Sequence, residues 1–129
     1  MRIAGTGIDL VDVARIADVL ERHGDRFLDR IFTPAEAAYC RSQGAPEQHL
    51  AGRFAVKEAV LKALGTGLIK GMRWRDVEVR NEPSGAPDVR LRGRVADRAE
   101  ELRVARIHVS ISHTERHAVA QAIAEAEEG

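Results

Sequence analysis

The hydrophobic pattern of this chain has a helical period in its first half and a period of two in its second half. Apolar side chains recur every three to four positions in residues 12–23 and 47–64. Residues 76–80 and 88–92 alternate apolar and polar side chains, and residues 106–112 alternate most cleanly. Because helices come first and most strands come later, the pattern indicates an α+β fold.

Local signals mark where several elements begin and end. Thr33 and Glu36, on either side of a proline, form the signature of a helix start with a capping box. Residues 2–11 predict a short strand, and Gly24 is a candidate break in the helix that begins near residue 12. Residues 117–126 fit a strand or a helix, and the short turn before them favours the second strand of a hairpin.

Composition narrows the class of protein. The chain fits one domain over residues 1–129, and its 20 basic and 20 acidic side chains cancel, so net charge gives no sign of nucleic-acid binding. No apolar run approaches the ~20 residues of a membrane span, and we expect no secretory signal. The single cysteine, Cys40, excludes an internal disulfide and favours a reducing, cytoplasmic setting.

The helix at 47–64 carries two charges one turn apart. A helical projection puts Glu58 and Lys62 on one face, between the small side chains of Ala51 and Ala55. Such a face would let a bulky anion approach the helix. The alternative is an ordinary glutamate–lysine pair on a solvated face, which contributes about 0.2–0.5 kcal/mol.

The segment that follows this helix has two interpretations. Gly65 alone fits a C-cap in the left-handed conformation. The sequence Gly65-Thr66-Gly67 also permits backbone N–H groups to converge on phosphate oxygens, as in an anion-binding nest. It is not a Walker loop, because no glycine-lysine-serine/threonine follows at the required spacing.

Two further segments supply side chains that could bind a metal ion or transfer a proton. Residues 5–7 begin like a dinucleotide fingerprint, but the third glycine is missing. Asp9, among apolar neighbours, either needs a cationic partner or metal, or caps the next helix, a role that Asp12 fits equally well. His113, at a strand end, is either a turn residue or an acid/base group. Asp9 and Glu58 without a cysteine suit Mg²⁺ better than Zn²⁺.

Six short motifs run through the chain in a specific order. They are GIDLV at 7–11, RFAVKEA at 53–59, KALGTG at 62–67, WRDVEV at 74–79, GAP at 85–87 and VSISH at 109–113. Together they resemble the holo-(acyl-carrier-protein) synthase family, the small single-domain type of 4′-phosphopantetheinyl transferase. The resemblance covers nearly the whole chain, and the helix motif with the upstream GIDLV is its most specific part.

The resemblance implies a fold and an activity. The expected fold is a small, mainly antiparallel sheet packed with helices, with one domain per subunit of a cytoplasmic homotrimer and active sites between subunits. The expected reaction moves 4′-phosphopantetheine from coenzyme A to a serine of apo acyl carrier protein and releases adenosine 3′,5′-bisphosphate. The family serves fatty acid biosynthesis and lipid metabolism, although the residues do not separate fatty acid, polyketide and peptide carriers.

The same resemblance assigns roles residue by residue. Asp9 and Glu58 become the Mg²⁺ ligands, and Glu58, Lys62 and His113 become the catalytic residues. His113 is a candidate acceptor for the serine proton because a histidine ordinarily titrates near pH 6.5, and its rival is a carboxylate acting through a metal-bound water. The expected coenzyme A contacts are Arg53, Phe54, Lys62, Gly65, Thr66, Gly67, Pro87, Ser112 and His113.

One departure concerns the 3′-phosphate of coenzyme A. Family members often carry lysine or arginine in the loop before the central helix, whereas residues 43–49 of this chain have neither. Arg41, Arg53 or a neighbouring subunit is left to hold this phosphate.

Acyl carrier proteins are acidic, and the first helix offers a basic surface. If residues 12–30 form one helix, four arginines gather on one side of it. A salt-bridged solvated face is the alternative, and the resemblance favours docking of the carrier. The expected docking residues are Arg15, Val19, Arg22, Arg26, Phe27 and Arg30.

Two other functions compete with the transferase. A non-catalytic nucleotide- or coenzyme A-binding module would need the glycine segment but not Asp9, Glu58 and His113 together. A Mg²⁺-dependent pyrophosphate hydrolase would cleave coenzyme A without any protein acceptor.

Overall fold

The computed structural model describes residues 1–128, as five helices and five strands. None of these helices is long and apolar enough to cross a membrane. In chain order the elements are β1 (Arg2–Asp12), α1 (Val13–His23), α2 (Asp25–Ile31), α3 (Pro34–Arg41), α4 (Pro46–Ala63), β2 (Val77–Asn81), β3 (Pro87–Leu91), α5 (Gly93–Glu101), β4 (Val104–His113) and β5 (His117–Ala126), with a 3-10 turn at Trp74–Asp76.

The strands form antiparallel sheets. The larger sheet has the order β1-β5-β4, and β2 pairs with β3 in a separate hairpin. Residues 117–126 are therefore a strand, and they pair with β4 as the short turn between them favoured. The predicted α+β fold, a small antiparallel sheet packed with helices, is confirmed.

Small residues let α4 lie directly on the larger sheet. A Cβ atom at Gly7 of β1 would lie 1.9 Å from the carbonyl oxygen of Ala59, and one at Gly5 would lie 2.0 Å from that of Ala63. Only glycine tolerates such a close approach of two backbones. The glycines of β1 therefore serve strand–helix packing rather than a nucleotide-binding turn. The central strand β5 also presents a row of buried alanines to the core, namely Ala118, Ala120, Ala122, Ala124 and Ala126.

The helix ends follow the capping signals, with one correction. Thr33 and Glu36 form the predicted capping box, with bonds of 3.2 and 2.8 Å. Asp12 caps α1, because its Oδ1 accepts a bond from the N–H of Ala14 at 3.0 Å. Gly24 has φ of 53° and separates α1 from α2, so the candidate break at Gly24 is confirmed and residues 12–30 do not form the single helix on which the arginine stripe depended.

A buried ion pair joins α4 to α3 and β2. Lys57 Nζ lies 2.9 Å from Glu36 Oε1, and both side chains are fully buried. Lys57 also donates to the carbonyl of Val77, while Glu36 accepts bonds from the N–H groups of Thr33 and Val79 at 2.8 Å each. Every bond in this network ends on a group of opposite polarity, so the pair is neutral and saturated.

The face of the larger sheet turned away from α4 is open, and its β1 edge is apolar. On β1, Ile8 and Leu10 are 62% and 66% exposed. Leu10 pairs with Val119 of β5, and Thr6 pairs with Ile123, so half-buried apolar side chains continue this surface. We call it the outer sheet face.

Candidate active site

Asp9, Glu58 and Lys62 come together where β1 lies against α4, and we call them the carboxylate cluster. Lys62 Nζ lies 3.2 Å from Asp9 Oδ1 and donates to the carbonyl of Ile8 at 2.9 Å. Asp9 follows Gly7 by two residues and so points to the same side of the strand. The close approach of β1 to α4 at Gly7 therefore places Asp9 beside the charged side chains of α4.

The lysine pairs across to the strand rather than along the helix. Within residues 1–128 Glu58 has no hydrogen-bond or ion-pair partner, so the surface pair between Glu58 and Lys62 does not form. Burial raises the pKa of the half-buried Glu58 carboxyl, the charge of Asp9 raises it further, and Lys62 lowers it. Two carboxylates against one lysine leave an excess of negative charge that a further cation would neutralise.

The carboxylate cluster fits Mg²⁺ and does not fit a closed zinc site. Among residues 1–128 no group of three or more histidine, cysteine, aspartate or glutamate side chains could hold a metal ion. Mg²⁺ keeps several waters and is commonly held by one or two carboxylates together with substrate phosphates. The unpartnered, half-buried Glu58 beside Asp9 supplies that pair of hard oxygen ligands.

The loop after α4 closes the helix and forms no nest in this structure. The N–H of Gly65 donates to the carbonyl of Lys62 at 2.9 Å, and the N–H groups of Thr66 and Gly67 point to the carbonyl of Leu61 at 3.1 and 3.5 Å. Donors engaged in this way cannot converge on a phosphate. The loop is therefore a C-cap, and its two glycines have the positive φ values that this cap needs.

Three of the expected coenzyme A contacts meet at a second place, a cavity of about 190 Å³. We call it the histidine pocket, and define it by Tyr39, His49, Arg53, Asn81, Pro87 and His113. Its walls come from α3, the first turns of α4, the β2–β3 hairpin and the end of β4. None of the residues that line it is acidic.

Arg53 is the charge at the base of the histidine pocket. It is only 5% exposed, its Nη2 donates to Asn81 Oδ1 at 2.5 Å, and its guanidinium carbon lies 4.2 Å from the ring centre of Tyr39. Its Nε is buried and has no hydrogen-bond partner among the described residues. A buried N–H of a cation without an acceptor is costly, and an anion in the cavity could satisfy it.

Two histidine rings lie above Arg53. The centres of His49 and His113 are 5.4 Å apart in an edge-on contact, and His49 lies 5.9 Å from Tyr39 in a similar one. Burial lowers the pKa of His49, and the charges of His113 and Arg53 lower it further. The free pocket therefore disfavours a positive charge on His49.

The remaining expected site residues lie elsewhere. Phe54 packs on Trp74 with ring centres 5.1 Å apart, outside the histidine pocket. Ser112 pairs with Val119 and lies on the outer sheet face, opposite to His113. The structure brings together Asp9 with Glu58 and Lys62, and Arg53 with Pro87 and His113, as two separate groups.

Within one chain the two groups are not in contact. Asp9 and Ile111 both pair with Ala120, so they are two strands apart, about 10 Å, and His113 is two residues further along. On α4, Arg53 and Glu58 project in directions about 140° apart. His113 is thus beyond hydrogen-bond reach of Glu58 in the same chain.

Because the helix breaks at Gly24, the basic side chains lie on two helices instead of one. A groove of about 260 Å³ is lined by Val19, His23, Arg26, Phe27 and Arg30, and we call it the arginine groove. Arg22 lies on α1 and pairs with Asp18 at 3.3 Å. Arg15, two turns earlier on α1, does not line the groove.

The sequence analysis did not predict the burial of two charged side chains of α4, although one signal pointed to it. In the helical projection that starts at Leu50, Arg53 and Lys57 fall at about 300° and 340°, inside the apolar arc. Charges in an apolar arc predict buried partners, and both side chains are buried in this way. His49, Tyr39 and Asn81 carried no comparable signal.

Comparisons with known proteins agree over nearly the whole chain. A family model described as the 4′-phosphopantetheinyl transferase superfamily matches residues 5–122. The holo-[acyl-carrier-protein] synthase of Koribacter versatilis is 51% identical over 123 residues, 95% of this chain and 98% of that protein.

Two solved structures extend the likeness to proteins with a bound ligand. The Helicobacter pylori holo-[acyl-carrier-protein] synthase in complex with coenzyme A has a TM-score of 0.82 at 31% identity and covers 93% of this chain and 99% of its own. The Bacillus anthracis holo-(acyl-carrier-protein) synthase in complex with CoA (3′,5′-ADP) has a TM-score of 0.81 at 35% identity, covering 98% and 100%.

Proposed function

The chain belongs to the 4′-phosphopantetheinyl transferase superfamily, and from this premise we propose how its residues carry out the reaction. It transfers the 4′-phosphopantetheine group from coenzyme A to a serine of apo acyl carrier protein, and adenosine 3′,5′-bisphosphate leaves. We take residues 1–129 as a single transferase domain that works in the cytoplasm. The observation that carries the proposal is the carboxylate cluster, which the Gly7 contact assembles at the surface of α4.

The reacting centre is the pyrophosphate of coenzyme A. Catalysis must place the serine hydroxyl in line with the bond that breaks, and it must stabilise the negative charge that develops on the phosphate oxygens. Lys62 is suited to this task because its side chain is 49% exposed and can move from Asp9 to a phosphate oxygen. Thr66, in the loop beside Lys62, would contact a phosphate through its hydroxyl, which in this structure has only a weak bond to Met72 Sδ at 3.9 Å, rather than through its engaged N–H.

Asp9 and Glu58 would hold the Mg²⁺ ion. Bound there, Mg²⁺ would neutralise charge on the pyrophosphate and its leaving group. Lys62, already tied to Asp9, keeps that carboxylate oriented on the strand. Glu58, without a partner of its own, is the ligand that gains most from the ion.

The serine hydroxyl must lose its proton, and we propose His113 as the acceptor. Because His113 lies in the histidine pocket of its own chain, it would serve the carboxylate cluster of a neighbouring copy. The alternative acceptor is a carboxylate of the cluster that acts through a metal-bound water. Substitution of His113 by glutamine separates the two, since only the first mechanism predicts a large loss of kcat.

A homotrimer with active sites between subunits would bring the two groups together. The outer sheet face supports association, because Ile8 and Leu10 expose apolar side chains on β1, and exposed apolar patches are typical of interaction sites. Sedimentation equilibrium gives the mass of the assembly. Mixing of a Glu58→Gln protein with a His113→Gln protein would restore activity in mixed trimers only if each site uses both subunits.

We propose that the acidic carrier docks on α1 and the arginine groove. Arg26, Phe27 and Arg30 join an apolar floor to positive charge, and Val19 extends it onto α1 beside Arg15 and Arg22. Charge reversal at Arg26 and Arg30 is expected to weaken carrier binding in titration calorimetry while coenzyme A binding survives. Unchanged carrier affinity would remove this groove from the proposal.

The function itself is tested by intact-protein mass spectrometry of an apo acyl carrier protein incubated with this chain, coenzyme A and Mg²⁺. The expected result is a mass gain of one phosphopantetheine, which disappears with EDTA or when the carrier serine is alanine. Coenzyme A binding without any mass gain, over several carriers, would favour the non-catalytic binding module. Release of adenosine 3′,5′-bisphosphate without a carrier would favour the hydrolase.

A further inference from the structure

The last turn of α4 presents an electrostatic problem for the proposed reaction. Lys62 is in that turn and Thr66 follows it, so a pyrophosphate that they contact would lie beside the C-terminal end of the helix. This end of a helix carries a partial negative charge, because its last carbonyls have no partner within the helix. Anions bind at helix N-termini, and a C-terminus disfavours them. A group that neutralises this end of α4 would therefore favour binding of the pyrophosphate.

The carbonyl groups at this end of α4 are satisfied from two directions. The loop supplies N–H groups to the carbonyls of Leu61 and Lys62. The carbonyl of Leu64, the residue that caps the helix, accepts a bond from Arg98 Nε at 3.1 Å. Arg98 belongs to α5, 34 residues further along the chain. A full positive charge from a different element thus lies at the negative end of α4.

Arg98 lies against the loop and is only partly neutralised by its own surroundings. A Cβ atom at Gly65 would lie 3.8 Å from Arg98 Nη2. Arg98 Nη1 lies 3.4 Å from Glu101 Oε2, but Glu101 also pairs with Arg94 at 3.2 Å. One carboxylate therefore faces two guanidinium groups. These three side chains leave an excess of positive charge beside the loop.

We propose that Arg98 is a positioning residue: by binding the Leu64 carbonyl it fixes the loop that carries Thr66, and it offsets the negative end of α4 for the pyrophosphate of coenzyme A. Arg98 acts through the carbonyl and the loop, without contact to the reacting atoms. The inference rests on the proposed function, in which Lys62 and Thr66 contact the phosphates. It adds α5 to the elements that build the site.

The test compares adenosine 3′,5′-bisphosphate with adenosine 3′-monophosphate in titration calorimetry on the full-length protein with Mg²⁺. The two nucleotides differ by the 5′-phosphate, which is the leaving half of the pyrophosphate, so the ratio of their affinities reports on that phosphate. Arg98→Met should lower this ratio about tenfold and leave the affinity for the monophosphate unchanged. Arg98→Lys keeps the charge and should retain most of the ratio. Equal weakening of both nucleotides, or an unchanged ratio, would overturn the inference and leave the transferase intact.

Arg94 provides the matched control. It lies on the same helix and pairs with the same glutamate, but it makes no hydrogen bond to α4 in the described chain. Arg94→Met should change the affinity ratio by no more than about twofold, as expected for a screened surface charge. An equal loss in Arg94→Met and Arg98→Met would show a general effect of charge and would overturn the specific role of Arg98.

A kinetic measurement makes the same comparison during turnover. Arg98→Met should raise KM for coenzyme A about tenfold at an unchanged kcat, because the substitution weakens phosphate binding in the ground state and the transition state alike. A fall in kcat at an unchanged KM would overturn the inference. Failure of the wild type to bind either nucleotide and to transfer phosphopantetheine would overturn the proposed function together with it.

Discussion

Two charged clusters sit on the same helix and use the same kinds of residue, yet they differ in burial and balance. The Glu36–Lys57 pair is fully buried, and each of its polar atoms has a partner of opposite charge or polarity. In the carboxylate cluster Asp9 is 17% and Lys62 49% exposed, and Glu58 has no partner within residues 1–128. One lysine and one carboxylate cancel in the first cluster, whereas one lysine faces two carboxylates in the second.

The difference separates a structural role from a binding role. A saturated, neutral, buried pair offers nothing to a ligand, and removal of one partner leaves an uncompensated charge in the core. In the half-buried cluster the two carboxylates repel each other, and one lysine does not neutralise both. Binding of a cation together with a phosphate would lower the electrostatic free energy of this cluster. Perturbed carboxylates of this kind are typical of functional sites.

The largest expected effect comes from breaking the buried pair. Lys57→Met should lower the free energy of unfolding by about 3–5 kcal/mol, because Glu36 would remain charged and buried without its cation. Urea unfolding followed by circular dichroism measures this. The exposed Lys70→Met should change stability by no more than about 0.5 kcal/mol, and an equal effect at both positions would contradict the structural role of Lys57.

The substitution Glu58→Gln removes one negative charge from the carboxylate cluster. Turnover with Mg²⁺ should fall by about 10²-fold or more, since the substitution removes charge at the point where the transition state is stabilised. The mass-spectrometric transfer assay at limiting Mg²⁺ measures this. Glu100→Gln, at an exposed position of α5, should be indistinguishable from the wild type. Near-normal turnover of the Glu58 variant would mean that this carboxylate is not a metal ligand.

Gly7→Ala tests whether packing assembles the open cluster. The added Cβ would lie 1.9 Å from the carbonyl of Ala59, so β1 must move off α4 and carry Asp9 away from Lys62. We expect a loss of about 1–3 kcal/mol of stability, and transfer activity reduced further than this loss alone explains. Gly44→Ala, where a Cβ meets no atom within 4 Å, should preserve both stability and activity.

The smallest effect concerns the stability of the metal-free protein. The pKa of Glu58 is raised in the fold, so the folded state holds that proton more tightly than the unfolded chain does. This contribution is present below the ordinary glutamate pKa of 4.5 and is lost as pH rises through the folded pKa. Metal-free Glu58→Gln should therefore be more stable than the wild type at pH 7.5, with the advantage shrinking towards pH 4.5.

Addition of Mg²⁺ should change the difference in stability between the wild type and Glu58→Gln. The ion should stabilise the wild type and erase the advantage of the glutamine variant, because it neutralises the two carboxylates. Thermal unfolding with and without Mg²⁺ gives both values. A metal-free Glu58→Gln protein that is less stable than the wild type at pH 7.5 would show that Lys62 already balances the cluster.

The motifs and capping signals made much of the molecule predictable. The alternating segments became strands, Thr33 and Glu36 formed their capping box, and the glycine after α4 became a C-cap. These features depend on neighbours within a few residues, so local sequence carries their physics. Sequence also paired Asp9 with Glu58, through the order of the family motifs rather than through any local rule.

Other features escaped prediction because they depend on contacts between distant segments. The bond from Lys62 went to Asp9, 53 residues away, rather than to Glu58. His49 gave no signal of its own, since its partners lie on α3 and β4.

The sequence alone determined the class of fold, the helix ends and the identity of the motif residues, because hydrophobic period and capping act over short distances. The tertiary structure decided which charged side chains have a partner of opposite charge and which do not. That decision follows from the glycines of β1, which admit Asp9 to the surface of α4, and from the burial of Arg53 and Lys57 on its other sides. Burial and distance between remote residues set charge balance, and only the packed chain fixes both.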